Sequence, residues 1–191
     1  ERHPNVSIPA AFSKLFRTSR DWNYNTQPEP HLDGRTLFMP RGKMLGGSSS
    51  MNAMIYIRGN REDYNEWRDK FGCEGWGWDD VLPYFIKAEN NERGADEFHG
   101  VGGPLNVADL RTVNAFTHRF VTAMGQIGVP ATTDFNGPRQ TGAGVVQVTQ
   151  KGGARHSTAT AYLRPILDRP NLTVKQDTFV TRVVIDDVVA V

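Results

Sequence analysis

Apolar side chains recur every three or four residues in several stretches of the chain, which is the spacing of one face of an α-helix. The first stretch covers residues 61–71 and is followed by Gly72, a residue type that commonly ends helices. In the second stretch, Asp79 or Asp80 is expected to cap a helix whose apolar face consists of Val81, Leu82, Phe85 and Ile86. Pro83 is expected in the first turn of that helix, where a missing N–H is tolerated. The pattern therefore predicts two successive amphipathic helices.

Further helices are predicted from the same signals. Asn114 is a suitable N-cap for a third helix, and Gly128 lies just beyond its expected end. The apolar stripe of this helix consists of Phe116, Phe120, Val121, Met124 and Ile127. A short helix over residues 10–17 and another that starts at Ser157 or Thr158 are also expected.

Short runs rich in β-branched and other apolar residues predict strands. These runs are residues 105–107, 145–148, 172–175 and 179–186. Asp33 and Gly34, between Leu32 and Leu37, are typical of a hairpin turn because both residue types accept a left-handed backbone. Together, the helices and strands predict an α/β protein of the mixed α+β kind.

The segment with the clearest chemical potential is Gly46-Gly47-Ser48-Ser49-Ser50, which lies between two apolar stretches. Glycines let the backbone turn and let another molecule approach the main chain. Serines offer hydroxyl groups, and they can cap a helix that begins within residues 51–56. Anionic oxygens bind well at such a helix start. The segment therefore predicts an anion-binding loop, with a plain tight turn as the alternative.

Composition limits the classes of function. The chain has 22 Lys and Arg residues against 21 Asp and Glu residues, a formal net charge of +1 and no long basic block, so nucleic acid is not an expected partner. No apolar run approaches the roughly 20 residues that a membrane helix needs. The single Cys73 cannot form an internal disulfide, which favours a reducing compartment, and we expect a cytoplasmic protein.

A longer stretch around the serine run resembles a known family signature. Residues 41–67 read RGKMLGGSSSMNAMIYIRGNREDYNEW, which is similar to the first signature of the glucose–methanol–choline (GMC) oxidoreductases, flavoenzymes that oxidise alcohols. Every position fits the pattern, from Gly42 and Lys43 through the glycine pair to Asn65. Similar segments extend the resemblance over essentially the whole chain, among them GWGW at residues 75–78, DFNG at 134–137 and GARHS at 153–157.

The resemblance implies a fold and its division. Residues 1–103 would be part of a Rossmann-like FAD-binding domain, residues 104–168 the start of a substrate domain built on an antiparallel sheet, and residues 171–191 return strands of the FAD-binding domain. The family opens with a G-x-G-x-x-G turn that seats the FAD pyrophosphate, and this sequence has no such turn. The family's catalytic histidine would lie beyond residue 191. We therefore expect an interior fragment of a larger enzyme, with no catalytic residue in this chain.

The resemblance also implies the contacts with the cofactor. The serine loop would run beside the isoalloxazine ring and the ribityl–phosphate stem of FAD, and a strand valine would meet the adenine. The expected cofactor-binding residues are Gly46, Gly47, Ser48, Ser49, Asn52, Ala53, Met54, Ile55 and Val180. Some family members bind FAD covalently through a histidine just before the motif asparagine. Met51 occupies that position, and because its thioether cannot form such a bond, non-covalent FAD is expected.

The function implied by the resemblance is FAD-dependent oxidation of a small-molecule primary alcohol, with choline-like alcohols among the candidates, by hydride transfer to flavin N5. Two alternatives stand beside it. One is a hydroxynitrile lyase, which shares the fold and the FAD but does no net redox chemistry. The other is a non-enzymatic structural remnant. The particular alcohol, the electron acceptor and the oligomeric state are not predicted.

The histidines and one arginine are expected to have ordinary roles. Neither His99 nor His156 has a carboxylate beside it in the sequence or a second ligand at metal spacing, so neither is expected to be catalytic or to bind a metal. Arg58 is expected to be solvated or paired with an acidic residue within residues 62–66.

Overall fold

The computed structural model describes residues 2–186 and 189–190. The α-helices are α1 (Pro4–Ser7), α2 (Arg61–Phe71), α3 (Trp78–Ala88) and α4 (Ala115–Gln126). The strands are β1 (Tyr24–Asn25), β2 (Phe38–Met39), β3 (Ile55–Tyr56), β4 (Glu89–Asn91), β5 (Leu105–Val107), β6 (Gln147–Val148), β7 (Gln150–Lys151), β8 (Ala154–Arg155), β9 (Ile185–Asp186) and β10 (Val189–Ala190). The predicted mixture of helices and strands is confirmed.

Within the described residues, the strands pair two by two rather than forming one wide sheet. β3 and β6 are antiparallel, with Ile55 opposite Val148, whereas β4 and β5 are parallel. The remaining pairs, β1–β2, β7–β8 and β9–β10, are antiparallel. The β3–β6 pair positions the candidate site, because β3 follows the serine run directly along the chain.

Helix α2 begins and ends as predicted. The side chain of Asn60 caps its first turn, and Gly72 follows it in the left-handed conformation.

Helix α3 starts earlier than expected, because Gly77 is its N-cap and donates its N–H to Asp80 Oδ2 at 3.0 Å. Asp80 thus acts from within the first turn, and Pro83 lies inside the helix rather than in that turn. Both details of the prediction were wrong, although the helix itself is present.

Helix α4 has the predicted N-cap, and its apolar stripe is largely exposed rather than buried. Asn114 Oδ1 accepts the N–H of Phe116 at 2.8 Å. No residue of the helix is buried against the described part of the chain, and Phe116 and Phe120 are 74% and 61% exposed. The apolar face is therefore present on the helix but faces outward. None of the helices described is both long and apolar enough to cross a bilayer.

The N-terminal part of the chain forms a small core. A 3-10 helix, Pro9–Leu15, replaces the predicted helix over residues 10–17. Asp33 and Gly34 have the left-handed backbone expected of the turn, and β1 and β2 flank it as an antiparallel hairpin. Val6, Leu15 and Met51 form a buried cluster, so this core holds the end of the serine run against the N-terminal segment.

The C-terminal part of the chain departs most from the prediction. A π-helical turn, Ala159–Leu163, and a 3-10 helix, Arg164–Ile166, take the place of the helix expected after Ser157. Residues 172–184 are irregular, and only Ile185–Asp186 forms a strand, paired with Val189–Ala190. Strand propensity depends on neighbouring strands, and none of the described strands lies beside residues 172–184. Residues 187, 188 and 191 of the predicted third segment, and residue 1 of the first, lie outside the described residues.

Candidate functional site

The serine run forms a tight loop built on left-handed glycines. Gly46 and Gly47 have φ values of +84° and +53°, and a 3-10 helix, Gly47–Ser50, follows. A Cβ atom on Gly42 would overlap the carbonyl oxygen of Gly47, so the two segments approach more closely than any other residue type would allow. The prediction of a helix within residues 51–56 was wrong, because the chain leaves the loop to enter β3.

The serine hydroxyls mostly tie the loop to the protein. Ser50 Oγ donates to the carbonyl of Leu45 at 2.9 Å, and Ser49 Oγ donates to the carbonyl of Gly46 at 2.6 Å. Ser49 Oγ also accepts the backbone N–H of Thr158 at 2.9 Å. Ser48 Oγ accepts the N–H of Gly42 at 3.3 Å and is exposed. Of the two serines expected to bind a ligand, Ser48 therefore keeps a hydroxyl proton on the outside of the loop, and Ser49 serves to shape it.

The strand that leaves the loop presents an apolar face to the outside. Asn52, Ala53, Ile55 and Ile57 are exposed, whereas Met54 is buried on the opposite face. Met54 has a φ of +63°, which is uncommon for a residue other than glycine. Such strain persists only where the surroundings enforce it, and it clusters at functional sites. Here the N–H of Met54 donates to Asn52 Oδ1 at 3.0 Å, which holds the turn.

Arg155 holds this loop in place through three hydrogen bonds on its buried side. Its Nε donates to the carbonyl of Val6 at 2.8 Å, and its Nη1 donates to the carbonyl of Ser49 at 2.9 Å and to Asn52 Oδ1 at 2.8 Å. The side chain is 6% exposed, and its Nη2 is buried without a hydrogen-bond partner among the described residues. Burial lowers the pKa of the Arg155 guanidinium to about 10, still far above neutral pH, so the group stays charged.

The position of Arg155 follows from a tight hairpin. Gly152 and Gly153 have φ values of +59° and +78° and join β7 to β8 in two residues, as type I′ turns do. Sequence reasoning gave Arg155 no role, because its partners lie more than a hundred positions away along the chain. The glycine pair was the only local signal, and it predicts the turn but not the direction of the arginine.

An open cavity of about 790 Å³ lies beside the loop. It is bounded by residues 42–45, just before Gly46, and by residues 175–179, just before Val180. The two parts of the expected cofactor site therefore adjoin one cavity. Val180 itself is 73% exposed in an irregular segment, so the strand expected to carry it is absent.

The cavity is lined by charged and aromatic side chains that suit a dinucleotide. The basic residues are Arg20, Lys43 and Lys175, and the acidic residue is Asp177. The Nζ atom of Lys43 lies 4.7 Å from the centroid of the Trp22 ring, which also meets Phe179 edge to face at 6.1 Å. A surplus of positive charge suits phosphate, and aromatic faces suit a planar ring system.

A buried ionic cluster lies apart from the loop and corrects two expectations. Arg58 pairs with Glu89 at 2.8 Å, with both side chains almost fully buried, rather than with residues 62–66. His99 lies between Glu89, 3.1 Å from Nδ1, and Asp134, 2.9 Å from Nε2, so it does have carboxylate neighbours in space. In the part of the chain that the structure describes, no group of three or more His, Cys, Asp and Glu side chains is arranged so that it could hold a metal ion. The cluster joins the end of α3 to residues 134–136 and is structural in character.

Comparisons with known proteins identify the family of the chain. The chain matches the family model described as GMC oxidoreductase over residues 11–191. It is 46% identical over 187 residues to the mitochondrial choline dehydrogenase of Mus musculus, covering 97% of this chain and 31% of that protein. It is 42% identical over 189 residues to the alcohol dehydrogenase (acceptor) of Pseudomonas putida, covering 98% of this chain and 34% of that protein.

The fold is also similar to a solved structure. Pyridoxine 4-oxidase from Mesorbium loti superposes with a TM-score of 0.85 and 34% identity, over 91% of this chain and 34% of that one. The chain thus spans about a third of the length of these relatives. The family resemblance found in the sequence and the fold class it implied are confirmed. The chain belongs to the glucose–methanol–choline (GMC) oxidoreductase family, whose members are FAD-dependent.

Proposed function

We propose that the gene product containing this chain is an FAD-dependent oxidoreductase that converts a primary alcohol to an aldehyde. The observation that carries this proposal is the geometry of residues 46–55. This loop has a strained backbone, is held in place by Arg155, and leaves Asn52, Ala53 and Ile55 exposed along one edge. FAD would supply the hydride acceptor, at flavin N5. The residues of this chain would bind and orient it.

The candidate cofactor contacts fall into two groups. The flavin part would lie against the outer side of the loop, where the apolar side chains and the main chain are open to a planar ligand. The residues proposed to bind FAD are Gly46, Gly47, Ser48, Ser49, Asn52, Ala53, Met54, Ile55 and Val180. Ser49 and Met54 would contribute by shaping the loop, since the Ser49 hydroxyl is already bonded and the Met54 side chain is buried.

The neighbouring cavity would receive the diphosphate and adenosine part of the cofactor. Its three basic side chains and single acidic one, together with its volume of about 790 Å³, fit an anionic dinucleotide. Val180 would join this part of the site through its backbone once a neighbouring strand orders residues 172–184. We propose the same division as the sequence implied, with residues 1–103 and 171–191 in the FAD-binding domain and residues 104–168 in the substrate domain.

We propose that the FAD is bound without a covalent link. Met51 stands before the motif asparagine, and its side chain is buried in the core with Val6 and Leu15. A thioether has no proton to lose, so it cannot form the neutral covalent link that a histidine nitrogen forms with the flavin. Acid precipitation of the gene product is expected to release free FAD into the supernatant, and flavin that stays with the pellet would contradict this assignment.

The substrate would be a small alcohol, and the catalytic base would come from outside this chain. The choline dehydrogenase of Mus musculus and the alcohol dehydrogenase (acceptor) of Pseudomonas putida support an alcohol, with choline-like alcohols among the candidates. His99 is enclosed by two carboxylates, and His156 Nδ1 accepts the N–H of Asn106 at 3.1 Å, so neither is free to take a substrate proton. Nothing in the comparisons favours a hydroxynitrile lyase.

The decisive experiment is an anaerobic titration of the purified complete gene product with primary alcohols, choline included. Bleaching of the flavin absorbance near neutral pH, with formation of the aldehyde, is the expected result. A protein that purifies without flavin and does not bind added FAD would refute the FAD proposal, and bound flavin that no alcohol reduces would refute the reaction.

The free, exposed Cys73 supports a reducing compartment such as the cytoplasm.

A further inference from the structure

Arg155 is a buried cation whose charge is not neutralised by the protein around it. Its hydrogen-bond partners are two carbonyl oxygens and an amide oxygen, and no carboxylate of the described residues forms an ion pair with it. Burying a charge without a counter-charge is costly, so such groups are rare without a functional reason. The other buried arginine, Arg58, is paired with Glu89 in the usual way.

The contact between Arg155 and Asn52 fixes which way the Asn52 amide points. Asn52 Oδ1 receives two hydrogen bonds, from Arg155 Nη1 at 2.8 Å and from the backbone N–H of Met54 at 3.0 Å. Both donors can only donate, so rotating the amide by 180° would bring its –NH2 group against two N–H groups. The Asn52 –NH2 group is therefore forced to the exposed side of the loop.

We propose that Arg155 is a positioning residue for the flavin site, acting through Asn52. It locks the Asn52 –NH2 group outward as a hydrogen-bond donor and strengthens that donor through its own unneutralised charge. A donor of this kind favours an electron-rich ligand atom, and favours it most when the bound ring carries the extra negative charge of its reduced state. This inference rests on the proposed FAD site.

Two features separate this role from simple support of the fold. The bonds to Val6 and Ser49 already connect Arg155 to the N-terminal segment and the loop, so the bond to Asn52 is not needed for that connection. The guanidinium reaches the three acceptors from two different nitrogens, and a lysine ammonium cannot reproduce that spacing. Losing the bond to Asn52 should therefore affect the ligand more than it affects stability.

The test compares single and double variants of the complete gene product as purified holoenzyme and apoprotein. R155Q removes the charge, and N52A removes the donor. N52A would lose the hydrogen bond that Asn52 donates to FAD, and R155Q would lose the orientation of that donor, so each variant is expected to raise the Kd for FAD about tenfold. Each variant is also expected to weaken the binding of reduced flavin about tenfold more than that of oxidised flavin. This corresponds to a fall of about 30 mV in the midpoint potential of a two-electron couple.

The double variant R155Q/N52A is the discriminating measurement. If Arg155 acts through Asn52, the double variant has nearly the same Kd and midpoint potential as N52A alone. R155K, which keeps the charge, is expected to recover part of the potential lost in R155Q. R58Q is the matched control, because it removes a buried arginine elsewhere. It should lower the melting temperature but leave the potential unchanged.

A second variant keeps the test valid if R155Q does not fold. N52D retains an oxygen for both donors and gives Arg155 a counter-charge, but it removes the –NH2 group. We expect N52D to raise the melting temperature of the apoprotein while weakening FAD binding and lowering the potential. Additive effects of R155Q and N52A on the Kd and the potential would overturn the proposed role of Arg155 but leave the proposed FAD site standing. An N52D protein with unchanged FAD affinity and potential would have the same consequence. Failure of the unmodified protein to bind FAD would overturn the proposed function as well.

Discussion

His99 is enclosed by two carboxylates, which gives its proton a structural role. Nδ1 lies 3.1 Å from Glu89 Oε1, and Nε2 lies 2.9 Å from Asp134 Oδ2. The hydrogen bond to Glu89, followed by that to Asp134, raises the pKa of His99 to about 8 against the opposing effect of burial. Arg58 binds the other side of the same Glu89 carboxylate at 2.8 Å. At neutral pH the cluster therefore holds two cations around a buried acid.

Stability is expected to fall as the pH rises through this pKa. The His99 pKa in the unfolded chain is about 6.5, so the folded state binds the proton more tightly. The contribution, about 2 kcal/mol, is complete below pH 6.5 and is lost as the pH rises through about 8. Urea unfolding of the complete gene product at pH 6 and pH 9 measures it. H99Q should show a flatter profile, and H118Q, which changes an exposed histidine, should follow the parent. Parallel profiles for H99Q and the parent would exclude the idea.

Residue roles of this kind could not be predicted from the sequence. His99 lies ten positions from Glu89 and 35 from Asp134, and Arg58 lies 31 from Glu89. Each pair forms only because the chain folds back on itself. The same holds for Arg155 and Asn52, 103 positions apart. The family signature located the loop, but the burial and partners of the side chains behind it required the structure.

Among the elements, the helices were predictable where their signals are local. Gly72 and Asn114 each act within one turn of their own positions, so the end of α2 and the cap of α4 were identified correctly. The strands are two or three residues long, and their pairing joins distant segments such as β3 and β6. Propensity over such short windows carries little information, which explains why the strands predicted within residues 172–184 are absent and why the pairing of strands was not predicted.

Replacing either of two glycines by alanine is expected to have opposite effects on the free energy of unfolding. G42A would place a Cβ atom against the carbonyl of Gly47 and force the serine loop to shift, so we expect a loss of about 1–3 kcal/mol together with weaker FAD binding. G125A lies in α4 with no atom near its added Cβ, so a gain of about 0.5–1 kcal/mol is expected. Unfolding curves and FAD titrations of both variants test this. Equal FAD affinity in G42A and the parent would contradict the proposed tight approach.

At the scale of the whole molecule, the surface is too large for a compact monomer. The accessible area is 13279 Å² for 21.3 kDa, whereas a compact monomer of this mass exposes about 9,100 Å². The excess includes apolar faces on otherwise regular helices. Exposed members are Trp67, Phe71, Trp76 and Tyr84 around α2 and α3, and Phe116, Phe120 and Ile127 on or next to α4. Apolar surfaces of this kind normally pack against another part of the protein or against a partner.

The 191-residue chain produced alone is therefore expected to bind the dye ANS strongly and to show no alcohol oxidation. Replacing Phe116 and Phe120 by serine should lower the dye fluorescence but change the melting temperature little, because both side chains are more than half exposed. A123S on the same helix is the control and should leave the fluorescence unchanged. In the complete gene product the same double variant should instead lower the melting temperature, because the α4 face would then be buried. An equal melting temperature there would show that this face stays in solvent and that α4 lies at the outer surface of the enzyme.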